Sequence, residues 1–184
     1  MQTQFQVNVF GPLQLVRCAL PFMEHGSRII NIGSISARIT LPFMGPYSAS
    51  KAALARLSSA LRSELYPLGI YVSLIEAGNF RTPIWQKSIN RFANILERCD
   101  ARLKNIYSAP MDRAIAVAKQ MENSSADPAV IVCAIVSILE CRNPASLYRI
   151  GVDAWAWSIL DRILPLRAIE WIGRAVVKMN KFER

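Results

Sequence analysis

The chain has 184 residues, 52% of them hydrophobic and 19% charged, which is the composition of one globular domain with a sizeable core and excludes a disordered protein. Its formal net charge is +9, but the basic residues are scattered, so attraction to anionic cofactors or lipid surfaces is favoured and nucleic-acid binding is not expected. Four cysteines without a CxxC pair and a single histidine, His25, give no sign of a disulfide framework or a metal site.

The sequence shows no pattern typical of a secretory signal or a membrane-spanning segment. The first twenty residues lack a basic start followed by an apolar block, which a secretory signal would show. The longest apolar run, Ala129 to Leu139, is interrupted by Ser137 and is too short to span a bilayer. We therefore expect a cytoplasmic protein, with any membrane association at the surface only.

The chain begins with a helical pattern from Phe5 to Met23, in which apolar residues recur at spacings of three and four. Pro12 lies inside this helix and has no N–H group, so the carbonyl of Asn8 loses its usual partner. Two interpretations stay open, a simple kink and a water molecule bound at the freed carbonyl.

Two short apolar runs, Arg28–Gly33 and Ile70–Ile75, predict strands of a parallel sheet that are buried on both faces. The helix-length segment between them implies a right-handed crossover connection. Ligands of open α/β sheets bind beyond the carboxyl ends of strands, which is where Ser34 stands. A serine at this position is also a common turn residue, so the sequence alone leaves both interpretations open.

The segment from residue 47 to residue 66 predicts one long amphipathic helix. Its apolar stripe consists of Leu54, Leu57, Leu61 and Leu65. At about 100° per residue, Tyr47 and Lys51 share the side of this stripe, whereas Arg62 faces away. An inward lysine either lays its stem on apolar surface, or uses its charge to lower the pKa of a nearby phenol. In the second case the phenol exchanges protons near neutral pH.

The second half of the chain predicts more helices and one further strand. Residues 80–125 are interpreted as one or two helices that form a mobile lid over the sheet edge, and Ser146–Ile150 as a last strand. From Asp153 onward, two basic amphipathic helices are separated by Pro165. Packing, a dimer face and an interfacial membrane anchor are the three explanations for their apolar residues.

Taken in order, these residues resemble the short-chain dehydrogenase/reductase family. The resemblance is carried by Ser34 at a strand end and by the Tyr-x-x-x-Lys pair Tyr47 and Lys51. The surrounding segments agree: Asn8-Val-Phe-Gly11, Arg28-Ile-Ile-Asn-Ile-Gly-Ser34, Tyr47-Ser-Ala-Ser-Lys51 and Gly78-Asn-Phe-Arg-Thr82. It covers residues 5–85 closely and the rest loosely.

The resemblance implies an α/β fold, a partial Rossmann-like doubly wound parallel sheet of about three strands with extra C-terminal helices. Residues 1–152 would be the C-terminal part of the family's domain, and residues 153–184 an amphipathic helical extension. Self-association into a homo-oligomer and peripheral membrane contact through the C-terminal helices are further expectations.

The family also implies roles for four catalytic residues. Tyr47 would donate or accept the proton at the substrate oxygen, and Ser34 would hydrogen-bond that oxygen. Lys51 would lower the pKa of Tyr47, and Asn8 would position a water molecule in a proton relay.

The implied cofactor is NAD or NADP, with hydride transfer between its nicotinamide and a small-molecule hydroxyl or carbonyl substrate. Tyr47, Lys51, Gly78 and Thr82 would bind it, Lys51 at the nicotinamide ribose and Thr82 at the carboxamide. The stretch Thr82-Pro-Ile-Trp85 is similar to branches of the family that act on hydroxysteroids and retinols.

Two departures from the family pattern bear on function. Ala77 stands before Gly78 where the family usually has proline, and no Gly-x-x-x-Gly-x-Gly motif occurs in the chain. That motif carries the pyrophosphate at a helix N-terminus, so we expect impaired cofactor binding by these residues alone. The alternative function is a truncated, non-catalytic derivative that binds a relative or a membrane.

Overall fold

Three parallel strands form the centre of the fold in a computed structural model that describes residues 1–179, apart from five side chains within one helix. The five side chains are those of Ile84, Trp85, Ser88, Arg91 and Ala93. The strands are β1 (Arg28–Ile32), β2 (Tyr71–Ala77) and β3 (Leu147–Ile150), and they lie in the order β1-β2-β3. The predicted α/β class with a parallel sheet of about three strands is confirmed.

Helices connect and cover these strands. In chain order they are α1 (Gln2–Phe5), α2 (Gly11–Ala19), α3 (Gly45–Leu65), α4 (Ile84–Glu97), α5 (Ala101–Asn123), α6 (Ala129–Glu140), α7 (Val152–Ile163) and α8 (Leu166–Val176). The predicted lid is thus two helices, α4 and α5, and its mobility stays a prediction. None of the helices within residues 1–179 combines the length and the apolar character needed to cross a membrane. Residues 180–184 and the Trp85 side chain, which the sequence analysis included, lie outside the described residues.

The first helical segment is interrupted where Pro12 removes a donor. Residues Gln6–Phe10 form a wider turn between α1 and α2, in which the N–H of Gly11 bonds to the carbonyl of Gln6, five residues back. The predicted helical segment Phe5–Met23 is confirmed up to Phe22, with this wider turn inside it. The backbone hydrogen bonds are shifted there by one residue, and such wide turns are frequent at functional sites.

Strand β1 is less buried than predicted. Ile29 is buried, but Ile32 is 39% exposed, so the expectation of burial on both faces is wrong. The physical reason is the strand order, since β1 pairs with β2 on one side and with no other described strand. In contrast, β2 lies between two strands and is buried from Val72 to Ala77.

Helix α3 packs against the sheet through small polar residues as well as leucines. Leu54 and Leu65 are buried, while the other two leucines of the predicted stripe are half-buried. Ser58 is fully buried, where its hydroxyl accepts from Asn31 Nδ2 on β1 (2.8 Å) and donates to the carbonyl of Leu54 (2.7 Å).

Arg62 does not face away from the core as predicted. Its Nε donates to the carbonyl of Val72 over 2.8 Å, and its NH2 group donates to the carbonyl of Ser146 over 2.7 Å. The long side chain lies along the protein surface and brings its donors to carbonyls near β2 and β3.

Candidate active site

A cavity of about 240 Å³ opens at the carboxyl ends of β1 and β2. Five of the six predicted site residues line it: Ser34, Tyr47, Lys51, Gly78 and Thr82. Segments far apart in the chain meet here because parallel strands end at the same edge of a sheet. The juxtaposition follows from the fold, whereas the role of each residue stays a prediction.

Ser34 and Tyr47 supply the hydroxyl groups of the cavity. Ser34 follows β1 in extended conformation, and its Oγ accepts from the N–H of Ser36 (3.2 Å), which starts the short turn Ile35–Ala37. Tyr47 lies in the first turn of α3. Burial raises the pKa of the Tyr47 phenol, while a hydrogen bond with Ser34 acts in the opposite direction and lowers that pKa.

Lys51 lies one helical turn beyond Tyr47. Its Nζ donates to the carbonyl of Ile32 at the end of β1 (2.9 Å) and stands 6.0 Å from the centroid of the Tyr47 ring. Burial lowers the pKa of this amine. That Lys51 lowers the pKa of Tyr47 stays a prediction. In this structure the amine donates to a backbone carbonyl, and desolvation has the largest effect on the pKa of Tyr47.

Asn8 stands apart from the other predicted catalytic residues. It lines a neighbouring cleft of about 580 Å³ between the first helices and β1, and Lys51 borders both spaces. The amide of Asn8 donates to Ser50 Oγ (3.0 Å), and Ser50 donates to the carbonyl of Tyr47 (2.7 Å). Asn8 therefore reaches the first turn of α3 through Ser50. Sequence reasoning missed this serine, although its place between Tyr47 and Lys51 on a buried helix was a signal.

Asp153 is a site residue that the sequence analysis did not identify. Its Oδ2 accepts from the N–H of Asn79 (2.6 Å), and its carboxylate lies so close to Gly78 that a side chain there would overlap it. Gly151, just before α7, has φ +105° and is crowded by the same carboxylate. No local sequence pattern predicts a contact between residues that are 74 positions apart. The predicted boundary between residues 152 and 153 stays a prediction, but α7 supplies a wall of this cavity.

Gly78→Ala is expected to destabilise the fold by about 2 kcal/mol, because an added methyl group in a packed site forces its neighbours to move. In an Asp153→Ala background the same change should cost much less, because the overlapping carboxylate is gone. Thermal and urea unfolding of the two single variants and the double variant measures this coupling. Gly45→Ala is the matched control, since nothing lies within 4 Å of an added Cβ there. Additive effects of the two changes would contradict the proposed overlap.

The cavity combines groups suited to acid–base chemistry in a mostly apolar setting. It holds one amine, one carboxylate, one phenol and the hydroxyls of Ser34 and Thr82, beside apolar side chains. Those apolar side chains include Met44, Phe80, Met121 and Ile131. Within the described part of the chain, no three His, Cys, Asp or Glu residues are grouped so that they could hold a metal ion. The fold and site thus define an α/β protein with ionisable and hydroxyl groups gathered in a cavity at the carboxyl ends of its parallel strands.

Comparison with known proteins agrees with this class. The family model described as short chain dehydrogenase matches residues 1–92. The chain is 42% identical over 94 residues to the uncharacterized oxidoreductase YusZ of Bacillus subtilis, covering 50% of this chain and 34% of that protein. It is 31% identical over 183 residues to the probable short-chain type dehydrogenase/reductase VdlC of Helicobacter pylori, covering 98% and 65%. It is 29% identical over 177 residues to retinol dehydrogenase 5 of Mus musculus, covering 92% and 55%. The chain belongs to the short-chain dehydrogenase/reductase family.

Solved structures agree on the fold. One is a short chain dehydrogenase from Burkholderia cenocepacia in complex with NADP, with a TM-score of 0.63, 23% identity, and coverage of 98% of this chain and 60% of that one. Another is a short chain dehydrogenase/reductase from Burkholderia phymatum in complex with NAD, with a TM-score of 0.61, 21% identity, and coverage of 98% and 60%. The chain spans between a third and two thirds of the length of the relatives named above, from 34% to 65%.

Proposed function

We propose that this chain carries the catalytic half of an NAD(P)-dependent oxidoreductase that acts on a hydroxyl or carbonyl substrate. The observation that carries the proposal is the meeting of Ser34, Tyr47 and Lys51 in one cavity at the carboxyl ends of two parallel strands. Membership of the family supports it, as do the names of the relatives, which are oxidoreductases or dehydrogenases.

In this proposal Tyr47 gives its proton to the substrate oxygen during reduction and takes it back during oxidation. Ser34 donates a hydrogen bond to the same oxygen and stabilises the charge that develops there. Because burial raises the pKa of Tyr47, the phenol is protonated at neutral pH, which is the form that reduction requires. Asn8 acts on this pair through Ser50, which bonds to the carbonyl of Tyr47.

Lys51, Gly78 and Thr82 are the residues that would hold the nicotinamide end of the cofactor, which supplies hydride when bound. The chemistry of that end is suitable, since the Lys51 amine and the Thr82 hydroxyl line the same cavity as Gly78. A cavity of about 240 Å³ is smaller than the usual site for a drug-sized ligand. These residues therefore fit the nicotinamide end and not a whole dinucleotide.

The substrate we propose is a lipophilic molecule of the retinoid or steroid class, of which only the reacting hydroxyl or carbonyl end enters the cavity, because about 240 Å³ cannot also enclose the rest of such a molecule. Met44, Met121 and Ile131 line the cavity and supply apolar contact without strong shape selection. The mouse relative is named a retinol dehydrogenase, which supports the same class.

The test joins this chain to the N-terminal segment that precedes the matched region in VdlC, so that a complete nucleotide site is present. We expect this fusion to oxidise NADH or NADPH in the presence of retinal or a steroid ketone, with loss of absorbance at the nicotinamide band. The matched control is the same fusion carrying Ser34→Ala. A folded fusion that binds nicotinamide cofactor and reduces no carbonyl in a panel of ketones and aldehydes would contradict the proposal.

A second function is supported by two features. The chain has no Gly-x-x-x-Gly-x-Gly motif, and one edge of β1 pairs with no other strand among the described residues. In this alternative the chain is a non-catalytic derivative that binds a partner. The two functions differ in whether the fusion turns over a carbonyl substrate, so the same assay separates them. Homo-oligomer formation and the absence of nucleic-acid binding stay predictions.

The proposed membrane contact is best supported on α7. One side of this helix exposes four apolar residues to solvent: Val152 (88%), Trp155 (53%), Ile159 (50%) and Ile163 (71%). The exposed Arg162 and Arg167 lie next to it, an arrangement suited to an anionic surface.

The paired change Ile159→Glu and Ile163→Glu is expected to lower binding to phosphatidylserine vesicles at least about tenfold, because two apolar contacts are replaced by charges of the lipid's own sign. Vesicle co-sedimentation measures it. The matched control is Val132→Glu with Val136→Glu, which changes two exposed valines on α6 by the same charge. Equal losses from the two pairs would exclude a specific contact through α7.

A further inference from the structure

Glu76 is a buried carboxylate that the proposed chemistry does not use. It lies near the end of β2, is 3% exposed, and is the only charged residue among the buried ones whose side chains the structure describes. A charge at such a site is costly unless it is paired and hydrogen-bonded. The residues that pair with the buried charge of Glu76 therefore indicate which parts of the structure this carboxylate holds in place.

Two arginines surround Glu76. Arg38 Nε donates to both carboxylate oxygens, over 2.9 Å and 3.1 Å, and Arg149 Nε lies 3.2 Å from Oε2. The contact of Arg149 is an ion pair without an aligned hydrogen bond, since its Nε has no hydrogen-bond partner. The hydrogen bond that Arg38 donates to Glu76 raises the pKa of Arg38, so this guanidinium keeps its positive charge.

The same arginines reach α7. Arg38 NH1 lies 3.7 Å from Asp161 Oδ2, and the guanidinium of Arg149 stands 5.3 Å from the centroid of the Trp155 ring. The four charges, two positive and two negative, balance within this cluster. It joins β2, β3, α7 and the segment that follows β1, and all of these except β3 contribute residues to the lining of the candidate active site.

Ser34 belongs to the segment that this cluster anchors. At its start, the N–H of Gly33 donates to the carbonyl of Ile75 (2.7 Å). At its end, Arg38 closes the turn with its N–H on the carbonyl of Ile35 (2.9 Å) and extends its side chain to Glu76. The turn that carries the Ser34 hydroxyl is thus fastened to β2 at both ends.

We propose that Glu76 is a positioning residue of the active site, which holds the Ser34 turn in place against Tyr47 through Arg38. A catalytic effect of Glu76 rests on the proposed function. Its effect on the Ser34–Tyr47 contact does not, and can be measured without activity. We predict that loss of the Glu76 charge loosens that contact while the cofactor-binding residues Lys51 and Thr82 stay where they are.

The first test reads Tyr47 directly in the full 184-residue chain and needs no activity. The protein is labelled with 3-fluorotyrosine, whose fluorine brings phenol titration into a milder pH range, and the Tyr47 resonance is assigned by its loss in Tyr47→Phe. In Glu76→Gln we expect Tyr47 to titrate at higher pH than in the parent, because the Ser34 hydrogen bond that lowers its pKa is weakened. The other four tyrosines should titrate as before.

Asp127→Asn is the matched control, since it removes a carboxylate from an exposed ion pair with Arg81 (3.7 Å) that includes no residue of this cluster. If Glu76→Gln does not fold, Arg38→Lys is used, which keeps the positive charge and removes the planar pair of donors. An unchanged Tyr47 titration in a folded Glu76→Gln or Arg38→Lys protein would overturn the proposal. So would an equal shift in Asp127→Asn.

The second test uses the fusion described above. Glu76→Gln should lower kcat about tenfold, the scale of a slightly misplaced catalytic group, with KM for the cofactor changed by less than about twofold. A rise in cofactor KM with unchanged kcat would overturn the proposal. An inactive parent fusion with a shifted Tyr47 resonance would refute the proposed oxidoreductase function and support the positioning role.

Discussion

Replacement of Tyr47 by phenylalanine is expected to lower the rate of carbonyl reduction by the fusion protein at least about a hundredfold, the usual contribution of a positioned acid. The phenol is the proton donor in the proposed mechanism, and phenylalanine keeps the ring contacts while removing only the hydroxyl. Cofactor affinity should fall much less than the rate, because of the four predicted cofactor-binding residues only Tyr47 is changed, and it loses only its hydroxyl. Initial rates under single-turnover conditions, with separate cofactor titrations, measure both quantities.

The control for this prediction is Tyr71→Phe. Tyr71 carries a phenol that bonds to Asn143 Oδ1 (3.1 Å) on the exposed surface, so the same atom is removed without touching the cavity. Its rate should stay within about twofold of the parent, as for a surface change. Retained turnover in Tyr47→Phe would remove Tyr47 from the proposed role.

The pH dependence of the rate follows from the raised pKa of Tyr47. Reduction requires the protonated phenol, so its rate should be constant through neutral pH and fall only as pH rises through that pKa. Oxidation requires the phenolate and should rise over the same range. Ser34→Ala removes the hydrogen bond that lowers the pKa, so both transitions should move to higher pH. Profiles of kcat/KM in the two directions check the sign.

The chain of 184 residues by itself is expected to bind NADH or NADPH at least about a hundredfold more weakly than the fusion, because the residues that fit the cofactor fit only its nicotinamide end. A glycine-rich turn at a helix N-terminus would supply backbone donors for the pyrophosphate, and the chain has no such motif. Titration of nicotinamide fluorescence against protein measures the affinity.

Lys51→Met in the fusion distinguishes the contribution of the nicotinamide end to cofactor affinity from that of the pyrophosphate. It removes the amine that we place at the nicotinamide ribose and leaves any pyrophosphate contacts intact, so it should weaken binding by less than omission of the fused segment does. Micromolar affinity for NADH in the 184-residue chain alone would contradict the prediction. It would mean that the cofactor contacts more of this chain than the residues that line the cavity.

Much of the fold follows from local pattern. Short apolar runs with turn residues at their ends predicted the bounds of β1 and β2 to within two residues. Such runs are typical of buried strands of a parallel sheet. Pro12 marked the place where the first helix departs from regular geometry. The exposure of Ile32 was not predictable, since it depends on which strand lies beside β1 and not on the residues of β1.

The sequence by itself determined the α/β class and the order and spacing of Ser34, Tyr47 and Lys51, because periodicity and helical spacing are local properties of a chain. Only the tertiary structure decided the electrostatics of the site. Burial raises the pKa of Tyr47, and a backbone carbonyl holds Lys51, both of which depend on what surrounds each group. The contacts of Asp153 with Asn79 and of Glu76 with Arg38 join residues 74 and 38 positions apart. Such contacts come from the packing of whole elements, and no short stretch of sequence contains the information that specifies them.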